Sequence, residues 1–177
     1  MRCRLTHLGS VLLALLSAPA AFAQYAEAEV KAAFIFNVAK FAEWPAELLP
    51  AGAPLRLCVL GTPGGSGTLG TALLELEGKT LQGRKLEVRS GTTLPLLRPC
   101  HLLVLMPDAP EPRRALAEAQ GALTFGDSDG FIDAGGIIGI AVAERRVRFD
   151  VNLEAARRGG IRLSAQLLRL ARQVKGQ

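Results

Sequence analysis

The sequence predicts an α/β fold in a single compact domain. Three observations carry this. Leu55–Leu60 and residues 102–106 are short, continuously apolar runs of the kind that form strands buried on both faces. Segments with helical spacing alternate with such runs through the middle of the chain, which is the order of a βαβ unit. Residues 137–142 and 147–151 are two further β-type runs joined by Ala143-Glu144-Arg145-Arg146, which reads as a late hairpin and makes the sheet mixed.

The elements follow in order. Residues 26–43 predict a helix, with Val30, Phe34, Val38 and Phe41 at spacings of three and four, Ala33 beside them, and Trp44-Pro45 ending it. The strand Leu55–Leu60 leads into the loop of residues 61–67 and then a helix carrying Leu69, Leu73, Leu74 and Leu76. Residues 85–89 predict a short strand, and residues 102–106 a buried one stopped by Pro107. A short helix over 113–120 opens behind Pro110 and Pro112, and residues 122–125 form a strand. After the hairpin comes a turn of helix through Arg158, which Gly159-Gly160 can stop. The last element is a helix capped by Ser164, with Leu163, Leu167, Leu170, Ala171 and Val174 on one face. Arg169, Arg172 and Lys175 sit where its macrodipole favours cations. The expected architecture is a mixed sheet flanked by helices, with a Rossmann-like βαβ core, a late β-hairpin and a C-terminal helix.

The first 23 residues read as a secretory signal. Arg2 and Arg4 supply a positive start, residues 11–16 an apolar core, and Ala21-Phe22-Ala23 a cleavage site. The apolar run is too short to serve as a membrane anchor. The expected product is a periplasmic domain of residues 24–177 with no membrane span. Its formal charge falls from +5 to +3 on loss of the two arginines. That is mildly basic and gives no nucleic-acid signature.

Export places Cys58 and Cys100, the two cysteines after residue 23, in an oxidising compartment. A bridge would close a loop of about 40 residues, worth about 3–4 kcal/mol on the chain-entropy account. Two separate buried thiols are the alternative. The spacing fits no zinc pattern, since His101 is the only other soft ligand.

Several motifs invite a chemical reading. Gly65-Ser66-Gly67-Thr68-Leu69-Gly70 fits G-x-G-x-x-G, with Glu87 at a later strand. In a dinucleotide fingerprint the first glycine follows the strand directly, whereas Gly61-Thr62-Pro63-Gly64 intervenes here. A glycine-rich βα loop without cofactor is expected. Asp127-Ser128-Asp129-Gly130 with Asp133 suggests a calcium loop, but further oxygen ligands and a closing Glu are missing, which leaves a solvated turn. His101 directly follows Cys100 at the mouth of a strand, and a structural role is expected. Gly135-Gly136 beside a strand marks a bulge or a place of close packing. H-E-x-x-H is absent, and an enzyme is not expected.

Six segments in order resemble the YfiR-like periplasmic proteins. They are VKAAFIFNVAKFAEWP from Val30, LCVLG from Leu57, PCHLL from Pro99, GGII from Gly135, VRFDVNL from Val147 and LLRLAR from Leu167. The resemblance implies a compact α/β domain without enzymatic activity or cofactor. It implies a partner, the periplasmic sensor region of an inner-membrane diguanylate cyclase, which such proteins hold inactive, lowering cyclic-di-GMP and biofilm output. It leaves a homodimer open. Cys58 and Cys100 stand where the family has a disulfide. A small-ligand site would fall at Arg162 and Ser164, where this chain has serine in place of a family histidine. The strand–helix edge after Val147 would present Asp150, Ala156 and Arg162 outward to the partner. The alternative function is a periplasmic solute-binding sensory module serving another membrane receptor, a histidine kinase or a transporter.

Overall fold

The computed structural model describes residues 19–65, 68–143 and 146–176, and the side chains of these except 19–26, 96 and 97. The predicted signal core, Ser66, Gly67 and the tip of the predicted hairpin lie outside the described residues.

Among the described residues ten strands and six α-helices follow one another: α1 (Pro19–Val38), β1 (Ala42–Glu43), β2 (Leu55–Leu60), α2 (Leu69–Leu74), β3 (Thr80–Leu81) and β4 (Arg84–Gly91). Then come α3 (Leu94–Leu97), β5 (Leu102–Leu105), α4 (Pro112–Glu118), β6 (Leu123–Gly126), β7 (Ile138–Ala143) and β8 (Arg146–Asn152). The chain finishes with α5 (Leu153–Arg158), β9 (Arg162–Leu163), α6 (Ala165–Leu170) and β10 (Gln173–Lys175). The main sheet has the order β10-β8-β7-β6-β5-β2-β4-β3, and β1 pairs with β9 in a separate antiparallel ribbon. Strands β4, β2, β5, β6 and β7 are mutually parallel, and the β7–β8 pair is antiparallel. This is the mixed α/β sheet expected from the sequence.

The apolar runs explain the centre. Leu55, Leu57, Val59, Leu102, Val104 and Leu123 point to one face, where α1, α2, α5 and α6 pack. Cys58, Leu60, Leu103 and Leu105 point to the other, under α3 and α4. Strands covered on both sides must be apolar at successive positions, so they lose the alternation of a half-exposed strand. Cys58 and Cys100 are bridged, with Cα atoms 5.8 Å apart.

The glycines act locally. Thr68 caps α2 in a reciprocal capping box with Thr71, and a Cβ on Gly70 would lie 2.3 Å from the Pro63 carbonyl oxygen. The loop therefore packs closely against its own helix. On the other face the Phe131 ring is wedged between Gly126 and Gly136, where a Cβ would approach it to 2.4 and 2.1 Å. Gly136 thus admits an aromatic ring beside the strand.

Two expectations are corrected. Among the described residues helix α1 already runs from Pro19 and stops at Val38, and residues 39–43 continue as one 3-10 turn and β1. Its buried face is Ala28, Ala32, Ile35 and Val38, while Val30 is 50% exposed and Ala33 is exposed. Val38 is kept from the predicted stripe, and Phe34 and Phe41 pack against the core beside it, so the buried face is rotated toward Ala28 and Ala32. The C-terminal helix is also cut short. Ser164 does cap α6, its hydroxyl accepting from Leu167 N–H at 3.2 Å. After Leu170 the chain turns extended, and Val174 lies in β10, parallel to β8. The backbone of β8 offers hydrogen bonds that outweigh a further turn of helix, and Leu170 is left 66% exposed.

Candidate partner-binding site

Asp150 lies on β8 opposite Gly139 of β7 and Gln173 of β10. Because Gly139 has no side chain, the carboxylate is covered mainly by Arg172. Arg172 Nε donates to Asp150 Oδ1 at 2.9 Å, and a second guanidinium nitrogen bonds Oδ2. The Asp150 side chain is only 14% exposed, against 59% for Arg172. That hydrogen bond, then the carboxylate's charge, raises the guanidinium pKa further. The pair presents an arginine edge to solvent over a shielded carboxylate.

The two other nominated residues part from it. Ala156 is fully buried in the core beneath α5, so the expected outward presentation of Ala156 is corrected. Helix α5 turns that side toward the sheet because Asn152 caps it: Asn152 Oδ1 accepts from Ala155 N–H at 2.9 Å. Arg162 is exposed, but on the β1–β9 ribbon, where it pairs with Glu43 at 3.0 Å. Ser164 spends its hydroxyl on the helix cap.

Asp150 and Arg172 form part of the wall of an open cleft of about 520 Å³. Its other walls are β7 residues 139–142, the loop of residues 127–133, and Glu27 and Lys31 from α1. Lys31 reaches Asp127 at 2.9 Å and Glu27 at 2.9 Å. Burial pulls its ammonium pKa down, but the two carboxylates outweigh this and leave it raised. Lys175 binds Asp133 from outside at 2.7 Å. The sequence-based reading took the loop carrying Asp127 for a plain solvated turn. Its role as a cleft wall depends on Lys31, 96 residues earlier, which no local pattern connects to it. One signal was available: the run at 137–142 is longer than the run at 122–125, so two neighbouring strands had to end unevenly.

His101 has the structural part expected. It is buried, its Nδ1 accepts from Arg56 N–H at 2.9 Å, and Nε2 bonds the Leu48 carbonyl at 3.1 Å. The Trp44 ring stands edge-on to it at 6.4 Å, with the indole N–H on the Gly121 carbonyl. Among the described residues no group of His, Cys, Asp and Glu could hold a metal ion. No helix among them is long and apolar enough to cross a membrane.

The YfiR/HmsC-like description matches residues 28–172, all of the sheet except β10. The chain belongs to the YfiR/HmsC-like family. That family is periplasmic and regulatory rather than catalytic. No curated protein matches the chain. Among solved structures, the YfiR/HmsC-like chain is similar to a conserved domain protein from Vibrio cholerae O1 biovar El Tor, at 16% identity and a TM-score of 0.54. That match covers 84% of this chain and 60% of the other. It is also similar to an ABC domain in complex with L-Trp from Streptococcus pneumonia, at 10% identity and a TM-score of 0.53, covering 79% and 60%. The chain therefore spans about 60% of the length of either. At these identities the likeness is one of fold.

Proposed function

We propose that this protein is a periplasmic binding repressor that holds an inner-membrane diguanylate cyclase inactive through the cyclase's periplasmic sensor region. Cyclic-di-GMP and biofilm output fall while the two are bound. The observation that carries this reading is the family match over residues 28–172. The arrangement around Asp150 suits it: a shielded ion pair with an exposed arginine edge, set in an open polar cleft, serves recognition better than chemistry. Within this reading Asp150 and Arg162 remain partner contacts, while Ala156 supports the surface from beneath. Residues 1–23 act as the export signal, and the bridged cysteines suit the periplasm.

The test is capture of the full-length cyclase from solubilised inner membranes on the immobilised mature protein, followed by cyclase activity with and without it. Capture with loss of activity supports the reading. A cyclase that neither binds nor slows refutes it. Selective recovery of a histidine kinase or transporter instead would favour the solute-binding alternative.

A further inference from the structure

Strand β7 outruns its neighbour. The β6–β7 register ends at Gly126↔Gly139, yet β7 continues to Ala143 beside β8. The direction of the leftover backbone groups follows from one hydrogen bond. Asn152 N–H donates to the Ile137 carbonyl at 2.8 Å, the bond that flanks Ile138↔Val151 in the antiparallel ladder, so Gly139 and Asp150 form a hydrogen-bonded pair. Such pairs recur at every second residue. Residues 139, 141 and 143 therefore direct their N–H and C=O groups at β8. Ile140 and Val142 direct theirs the opposite way: the Gly126↔Gly139 register engages the Ile140 N–H on the Gly126 carbonyl, and the Ile140 C=O and both groups of Val142 lie past the end of β6, in the 520 Å³ cleft. The cleft thus holds an internal stretch of sheet edge, with one donor and two acceptors in register with an ordinary strand.

The walls set the charge of what fits. Glu27, Asp127, Asp129, Asp133 and Asp150 line the cleft against Lys31 and Arg172. Lys175 offsets Asp133 from outside. Asp129 is exposed and has no ion-pair partner among the described residues. The lining is net acidic even after its internal pairs are counted.

We propose that the overhang of β7 is a docking site for an extended, basic segment of a partner protein, which adds a strand beside Ile140 and Val142 in line with β6. Main-chain pairing of this kind supplies affinity, and the flanking side chains supply selectivity. The inference rests on the partner-binding reading above for the identity of the segment's owner; the edge itself does not.

Two experiments separate these. In the first, the heptapeptide Lys-Val-Lys-Val-Lys-Val-Lys is titrated into the isotope-labelled mature protein while backbone amides are followed by NMR. The Ile140 and Val142 amides should shift, and the Val142 amide should gain exchange protection. Methylating alternate peptide nitrogens should weaken binding at least tenfold with the charge unchanged. So should Asp129→Lys, and Val142→Pro, which removes an N–H that β8 does not use. Failure of the peptide to bind, equal binding by its glutamate counterpart, or equal binding by the methylated peptide would overturn the proposal. So would concentration-dependent dimerisation protecting the same amide, since the occupant would then be a second copy. In the second, the cyclase sensor region replaces the peptide. If it binds and leaves Val142 unprotected, the edge proposal fails and the repressor reading stands. If the peptide pairs at the edge while the sensor region does not bind, the repressor reading fails and the edge stands.

Discussion

Arg172 closes over Asp150 from the turn between α6 and β10, so a residue expected in a C-terminal helix instead shields a carboxylate on the sheet. The local chain explains how it gets there. Arg172 N–H donates to the Phe149 carbonyl at 2.8 Å, which starts the parallel pairing of β10 with β8.

The first prediction follows from that pair. Asp150→Ala should fold normally, because the carboxylate lies at a surface cleft and Gly139 opposite it needs no packing partner. Binding of the cyclase sensor region should weaken at least tenfold, about 1.4 kcal/mol or more. Arg172→Ala should weaken it too, by removing the exposed edge of the same pair. Calorimetric titration of both variants, with circular dichroism to confirm folding, checks this. Unchanged affinity in both would place the interface away from this cleft.

The disulfide makes a second prediction. Thiol titration of the periplasmically expressed, denatured protein should find no free cysteine. Reduction should lower unfolding stability by about 3–4 kcal/mol on the loop-entropy account, since the bridge spans 42 residues of chain. Denaturant melts with and without reductant measure it, and coincident curves would contradict the prediction.

His101 makes stability depend on pH. Burial is the first cause lowering its pKa, with Arg56 and Arg84 adding to it, while the bond to Leu48 and the charge of Glu87 work against it. The folded state therefore binds this proton more weakly than the unfolded state. The histidine's contribution is complete above the unfolded value of about 6.5 and is lost progressively as pH falls below it. Urea midpoints at pH 7.5 and 5.5 should differ in the wild type, and by less in His101→Gln. An equal drop in both would assign the effect to other groups.

Trp44 is half-buried against the core and hydrogen-bonded to Gly121. Trp44→Ala should destabilise by about 2–3 kcal/mol, below the range for a fully buried tryptophan. Trp44→Phe should lose about 1 kcal/mol for the missing hydrogen bond. Thermal and urea melts give both values. If Trp44→Ala leaves stability intact and abolishes partner binding, its place is in the interface.

The Phe131 wedge is tested by double substitution. Gly136→Ala should destabilise by about 1–3 kcal/mol, because the new methyl meets the ring. In a Phe131→Leu background the same change should be milder, and the coupling read from the double-mutant cycle measures the contact. Additive effects would mean that the glycine answers to backbone conformation instead.

Sequence by itself determined the α/β class, the strands read at Leu55–Leu60, 102–106, 122–125 and 137–142, the hairpin and the cap at Ser164. Each of these rests on information held within a few residues: an apolar run, a turn, an oxygen placed three residues ahead of an amide. It also brought Cys58 and Cys100 forward as partners, since export leaves two thiols few other fates. Tertiary structure alone decided which side of a pattern is buried and what completes an element. Of the stripe through Val30, Phe34 and Val38, the sheet keeps Phe34 and Val38, adds Ala32 and Ile35, and leaves Val30 outside. Val174 fits a helix by period, yet β8 offers it a strand partner from 23 residues away. Ala156 suits a surface or a core equally well, and only the docking of α5 sends it inside. The cleft belongs to the same class of fact: β6 ends, β7 continues, and Lys31 and Arg172 reach across from distant parts of the chain. Periodicity records local amphipathicity, whereas the choice between equivalent faces and partners is made by contacts between segments far apart in sequence.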